Sequence, residues 1–318
     1  MYRLFLLLAK DLLVPAGLYF WQSRGKYTKI VDAILMSLLS GVYTIFVYET
    51  ADWAIYGYYW RYLLPIFWLT ATISQVISIR KKNHPEPGIV AKNRLRFGRF
   101  FISAISFLFA VFAIWAVSGN FHSGTSVSLA FPLKNGQYYI LEGGDSPLIN
   151  TTHHALPPVP QKYALDIIAI GEFGKRSVGF FPESPDEYYV FGKSVFSPID
   201  GIVTAVVDQY VDSLSAGPKM DENEAYGNRI IIQNDSLEIM LAQLKQGSIS
   251  VRLGDTIFSG QQIAAVGCSG DVSEPHLHIQ ATIPATDARV RQYWDRSGIP
   301  MQFNGRFLVK NDIFEASN

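Results

Sequence analysis

A single cysteine, Cys268, stands in 318 residues. That count excludes an intrachain disulfide framework, a cysteine zinc cluster and a thioredoxin-type pair, so any zinc site must draw mainly on His, Asp or Glu. Net charge is lacking as well, because 27 Lys and Arg balance 27 Asp and Glu. No global field points to nucleic acid, and the aromatic and motif context of a nucleic-acid module is missing. Histidine is scarce, with six in the chain. Two of them, His276 and His278, sit two residues apart in Ser273-Glu274-Pro275-His276-Leu277-His278-Ile279. On a strand, positions i and i+2 leave the same face. The pair would suit a metal ligand beside an acid/base or water-orienting histidine; a solvated or hydrogen-bonded surface pair fits the same spacing.

Apolar residues are abundant but unevenly placed. The length permits about two or three folding units, and most long apolar runs fall before Gly119. Ile30 to Val47, Tyr59 to Ile79 and Phe100 to Val117 each come close to the ~20 residues of a spanning helix. Leu4 to Phe20 is apolar but carries Lys10, Asp11 and Pro15, which leaves a first span, a re-entrant piece or an interfacial helix open. Trp53, Tyr56, Tyr58, Tyr59 and Trp60 cluster at run ends as an interfacial belt would. Arg80, Lys81, Lys82, Lys92, Arg94, Arg96 and Arg99 crowd the connection before the last run, and the positive-inside rule places that connection in the cytoplasm. Arg24, Lys26 and Lys29 mark the earlier connection in the same way. Everything after Gly119 is then expected outside the cytoplasm. A cleavable signal peptide fits poorly, because the first apolar stretch holds a Lys-Asp pair and no clear small-residue cleavage pattern. A transport role for the multispan half has only Lys10-Asp11 behind it, and an interfacial helix accounts for that pair.

From Thr125 the period turns strand-like. Val127 to Leu133 and Gln137 to Leu141 flank Asn135-Gly136, a dipeptide favoured in tight hairpins because both positions tolerate positive φ. Further short β-rich runs are Ala164 to Ile170, Gly201 to Asp208, Arg229 to Gln233, Glu238 to Leu241, Gln262 to Val266 and His276 to Ala281. The pattern predicts an α-helical membrane region, residues 1–119, an all-β domain of antiparallel sheet, residues 120–285, and a C-terminal extension, residues 286–318.

Short strands with Gly-Asp turns, as in Val195 to Val203 and Val251 to Ile263, also occur in biotinyl and lipoyl carriers. Lys219 lacks their exposed hairpin setting. Another set of motifs accounts for more: Tyr226-Gly227-Asn228, Leu241-Ala242-Gln243-Leu244, Gly254-Asp255, Gly260-Gln261, Gly267-Cys268-Ser269-Gly270 and Glu274-Pro275-His276-Leu277-His278. In order and approximate spacing these resemble the lysostaphin-like and LytM-like zinc metalloendopeptidases that cut cell-wall peptides. Upstream, Asn150-Thr151-Thr152-His153-His154 and Gln161-Lys162-Tyr163-Ala164-Leu165-Asp166 look like a longer-spaced form of that family's first His and Asp motif. The resemblance covers Val195 to Ala281 well, Gly143 to Ile168 less tightly, and the membrane half not at all.

The resemblance implies a lysostaphin-like β fold and a Zn2+ site held by His154, Asp166 and His278, with His153 the rival to His154. Two imidazoles and a carboxylate suit zinc and leave a coordination position for water. His276 is implied as a catalytic residue that orients water, moves a proton or stabilises an oxyanion. Gln243 stands where the family usually has a histidine. Glutamine can donate a hydrogen bond there but carries no exchangeable charge, and loss of a positioned acid/base typically costs ~10²- to 10⁴-fold. The implied protein is a multi-pass protein of the bacterial inner membrane whose extracytoplasmic domain hydrolyses peptidoglycan peptides. Its partners would be those peptides and the lipid bilayer, with another cell-wall hydrolase or a divisome-type protein as a further partner. The alternative is a non-catalytic relative that binds cell wall or regulates another hydrolase. Cys268 is expected to be a packed turn residue, and His84 and His122 lie away from any ligand context.

Overall fold

The computed structural model describes residues 2–25, 27, 29–80, 89–154, 161–180, 182–214, 222–284 and 297–317. Lys81, Lys82, His84 and Lys219 lie outside the described residues, as does most of the first third of the C-terminal extension. The chain forms two compact units. One comprises Met1–Trp53 and Tyr59–Val117, the other Ala54–Tyr58 and Ser118–Asn318.

The first unit is helical. Helix α1 (Tyr2–Leu8) passes through a π-helical turn (Ala9–Leu13) into α2 (Val14–Arg24), with Pro15 tolerated in the first turn of α2. There follow α3 (Ile30–Thr50), α4 (Trp53–Tyr56), a 3-10 turn (Tyr58–Tyr62), α5 (Leu63–Arg80) and α6 (Ile89–Ser118). Three segments are long and apolar enough to cross a membrane: Ile30–Thr50, Tyr58–Arg80 and Arg96–Ser118. The run Leu4 to Phe20 is helical but not one of these three. Phe67, Ile73, Phe107 and Ile114 are each more than half exposed, as side chains facing lipid would be. Polar groups turn inward instead. Asp11 is buried beside Lys10 at 2.8 Å, and Arg99 pairs with Asp32 at 2.5 Å.

The second unit is mostly antiparallel sheet. Its strands are β1 (Val127–Leu129), β2 (Gly136–Glu142), β3 (Leu165–Ala169), β4 (Ser194–Phe196), β5 (Gly201–Val207), β6 (Asn228–Gln233), β7 (Glu238–Leu244), β8 (Thr256–Ile257), β9 (Gln262–Ala265), β10 (Leu277–Thr282), β11 (Met301–Phe303), β12 (Arg306–Phe307) and β13 (Ile313–Ala316). Eight of them form one sheet in the order β13-β2-β3-β10-β7-β6-β5-β8; β1-β11-β12 and β4-β9 form two smaller ones. Strand β6 alternates buried and half-buried positions, as a strand with one covered face does. The central strands β3, β10 and β7 are buried at every position. Any polar residue on these three strands is therefore costly unless it has partners, and Asp166, Gln243, His278 and Gln280 are all there.

One expectation changes. Asn135 does take a positive φ of 53°, yet the runs beside it do not form a hairpin. Strand β1 pairs in parallel with β11, while β2 lies between β13 and β3. The intervening residues are held elsewhere: Ala130 N donates to Pro198 O, and Pro132 O accepts from Phe196 N. Within the C-terminal extension, β13 forms an edge of the main sheet. The segment Ala54–Tyr58 also belongs to this unit. Arg176 N donates to Ala54 O at 3.1 Å, and the Tyr58 ring meets Tyr139 at 6.0 Å.

Candidate metal centre

Two turns set the frame around the His-x-His strand. Gly227 has φ +60°, and a Cβ there would lie 2.5 Å from the Ser269 backbone, so the Tyr-Gly-Asn and Gly-Cys-Ser-Gly motifs can meet only through glycine. Beside it, buried Asn228 ties the same region together. Its amide nitrogen donates to Tyr210 O (2.7 Å) and Leu244 O (3.1 Å), and its backbone N–H donates to Ser269 Oγ (3.0 Å). Cys268 packs in this turn with Sγ 3.1 Å from Ser213 O, and burial pushes its thiol up to about 12, out of the reactive range.

Strand register then brings the candidate residues together. On β10, His278 lies opposite Asp166 of β3, and the fully buried strands leave both side chains nowhere to reach bulk water. A short helix, α7 (Thr151–His154), adds the third group. Successive helical residues point ~100° apart, so α7 can offer only one of its two histidines, and that one is His153. The histidine that meets Asp166 is thus the rival named above, and His154 lies outside the cluster. His153 Nε2 lies 3.3 Å from Asp166 Oδ1 and His278 Nδ1 3.0 Å from the same oxygen. One potential ligand atom from each of His153, Asp166 and His278 falls within 4.8 Å of the others. His276 Nε2 stands 3.6 Å from Asp166 Oδ1. His154 is only half-buried, and its Nε2 has no hydrogen-bond partner among the described residues.

The far side of each imidazole is also held. His153 Nδ1 meets Asn150 Oδ1 at 2.6 Å, His276 Nδ1 meets the Glu274 carbonyl at 2.9 Å, and His278 Nε2 meets Gln280 Oε1 at 2.7 Å. The orientation of the Asn150 amide is forced, because its nitrogen sits among three carbonyls, Gly144 O, Lys162 O and Ala164 O, at 3.1 to 3.3 Å. Neither Asn150 nor Gln280 was read as a site residue from the sequence. Gln280 was within reach, since it follows His278 by two and shares its face.

Electrostatics agree with this convergence. Burial alone would raise the Asp166 carboxyl, but the imidazoles of His153 and His276 hold it well below the usual carboxylate range. Burial works against a charged His153, yet Asp166 outweighs it and the net direction is upward. His278 moves down because burial dominates. One ionised carboxylate faced by several ring nitrogens is an arrangement that a divalent cation of zinc's preferences fits.

Gln243 lies in a β-bulge on β7. Between the Asn228–Leu244 and Ile230–Leu241 pairs, β7 carries Ala242 and Gln243 against Arg229 alone. Gln243 has φ 56°, is buried, and its Oε1 has no hydrogen-bond partner among the described residues. A non-glycine residue in this conformation costs about 1–2 kcal/mol, and bulges commonly re-aim a side chain beside an active site. The Tyr226 ring packs on His278 at 5.6 Å, while Tyr226 O accepts from Gln243 N at 3.1 Å.

Residues 188–289 match peptidase family M23. The matched stretch holds Gln243, His276 and His278 but begins after His153 and Asp166. No curated protein sequence matches the chain significantly. Similar solved structures include a zinc containing peptidase from Vibrio cholerae, 20% identical, covering 50% of this chain and 37% of that one with a TM-score of 0.30. The antimicrobial peptidase lysostaphin from Staphylococcus simulans is 19% identical, with 41% of each chain covered and a TM-score of 0.25. The catalytic domain of a prophage-encoded M23 protein from Enterococcus faecalis is 15% identical, covering 52% of this chain and 86% of that one with a TM-score of 0.25. The chain thus spans about two fifths of the length of the first two.

Proposed function

We propose that the chain is a membrane-anchored zinc metalloendopeptidase that hydrolyses peptide bonds in cell-wall peptidoglycan. The observation that carries this reading is the convergence of His153, Asp166 and His278 on one point, with His276 alongside. Peptidases of family M23 are zinc-dependent and related to peptidoglycan hydrolases, and the matched domain supplies that context. When bound, zinc supplies Lewis acidity and an activated water. His153, Asp166 and His278 hold it. His276, its Nδ1–H given to the Glu274 carbonyl, keeps Nε2 free to accept a proton from water and return it to the leaving amine. Gln243 offers amide N–H donors to the carbonyl oxygen as charge develops there. The basic residues around Arg96 and Arg99 support a reading in which the preceding connection is cytoplasmic and the peptidase domain lies in the extracytoplasmic space of a bacterial inner membrane.

Gln243 favours a second reading, a degenerate domain that keeps fold and metal but binds cell wall or regulates another hydrolase, since it has no titratable group. One experiment separates the two. The full-length chain, purified in detergent and loaded with zinc, is incubated with cross-linked peptidoglycan beside its His278→Ala and Gln243→His variants. Release of new amino groups by the parent, lost in His278→Ala, is the expected result. An inert parent with an active Gln243→His variant would establish the degenerate reading.

A further inference from the structure

We infer that Gln280 and Asn150 are positioning residues that fix the tautomers of the two metal-binding imidazoles, an inference that rests on the zinc reading above. A neutral imidazole has one N–H and one lone pair, and only the lone pair binds a metal. Which nitrogen is bare is decided by what the other one faces. The Gln280 oxygen, 2.7 Å from His278 Nε2, accepts a proton there and leaves Nδ1 bare, 3.0 Å from Asp166 Oδ1. The Asn150 oxygen, 2.6 Å from His153 Nδ1, leaves Nε2 bare on the Asp166 side. The two histidines thus present opposite nitrogens to the same carboxylate, and each needs its own acceptor behind it. His276 obeys the same rule with a backbone carbonyl, which no side-chain substitution removes.

Both amides are fully buried, so water cannot replace them. Asn150 has a second duty, since its amide nitrogen holds the carbonyls of Gly144, Lys162 and Ala164. Gln280 is therefore the cleaner test. Its side chain reaches along β10 to the ring two residues before it, and Leu, similar in size, removes the acceptor while keeping the strand packed.

The experiment uses the full-length chain in detergent, stripped of metal, and measures Zn2+ affinity by competition with a chromophoric chelator. Gln280→Leu and Gln280→Met should each weaken Zn2+ binding by ~10- to 100-fold, with thermal unfolding of the metal-free protein unchanged. Gln280→Glu, which keeps an acceptor oxygen, should bind within about threefold of the parent, a rescue that packing alone would not give. Nitrogen-15 histidine spectra of the Zn2+-loaded protein should show His278 with its proton on Nε2 in the parent, and loss of the hydrogen-bonded Nε2–H shift in Gln280→Leu. Parental affinity in Gln280→Leu, or equal losses in Leu and Glu variants, would overturn the inference. A parent that binds no Zn2+ would overturn the zinc reading itself and this inference with it.

Discussion

The two units each bury a cluster of polar side chains, and the clusters are wired oppositely. In the helical unit, Gln22 of α2 donates to Thr72 Oγ1 (2.8 Å) and Ser37 Oγ (3.1 Å) and accepts from Ser40 Oγ (2.7 Å). Ser37 in turn donates to Gln75 Oε1 at 2.5 Å, and Gln75 Nε2 donates to Ala33 O at 3.2 Å. Donors and acceptors alternate until every group is used. Around Asp166 they do not alternate. Each imidazole has an acceptor oxygen behind it, and the other ring nitrogens of His153, His276 and His278 all face one carboxylate; on the inference above those nitrogens are bare. A closed network is interhelical glue. A converging set of lone pairs is repulsive by itself and is relieved only by a proton or a cation.

The strongest way to break this distinction is to remove a group from the converging set. In the full-length chain, His153→Ala and His278→Ala should each lower Zn2+ affinity by more than the ~100-fold that bounds the effect of outer partners. His154→Ala should leave affinity at the parental value, because its ring lies outside the cluster. Chelator competition on the three variants checks this. Equal losses in His153→Ala and His154→Ala would mean that α7 does not select one histidine.

That selection also shows where the sequence stopped being informative. His276, His278 and Gln243 stand out in the sequence because each sits in a short local motif, whereas Asp166 comes from a longer-spaced motif and is singled out only through the resemblance. The choice between His153 and His154 is not legible, since neighbours in sequence become distinct only once α7 winds and turns one away. Asn150 acquires its role from three carbonyls up to 14 residues distant, and no local pattern encodes that. The same holds for the sheet. The runs read as strands between Ala164 and Ala281 correspond to β3, β5, β6, β7, β9 and β10, whereas β4, β8 and β11 to β13 are not in that reading, and the partners of β1 and β2 come from β11 and β13, more than 170 residues away in sequence. Asn135-Gly136 correctly marks a turn, but a turn does not choose the partners of the strands it joins.

Proton competition sharpens the comparison further. Asp166 raises His153 above the ordinary imidazole value of about 6.5, so on the proposed reading a proton on His153 competes with zinc as the solution is acidified. The sign follows. Zn2+ affinity should fall as pH drops through the raised His153 value, by roughly tenfold per unit per proton displaced. His278, lowered by burial, is already neutral in that range and adds nothing until the solution is more acidic. Affinity measured from pH 6 to 9 at constant ionic strength tests this, and a flat profile would mean that no proton holds the place of the metal.

The smallest effect is expected on the closed side. Gln22→Leu removes the hub of the helical network, yet each of its partners keeps another bond. Ser40 Oγ still donates to Ser37 O, Ser37 Oγ still donates to Gln75, and Thr72 Oγ1 still donates to Trp68 O. Polar pairs between membrane helices average about 0.6 kcal/mol in double-mutant cycles, so the loss should be ~1 kcal/mol, read as a small shift in the detergent-induced unfolding midpoint. Zn2+ affinity should not change at all. The asymmetry has a physical origin: in a network where each member has two partners, deletion of one leaves no orphan, whereas on the proposed zinc reading His153, Asp166 and His278 serve one ion, and deletion of any of them removes a ligand.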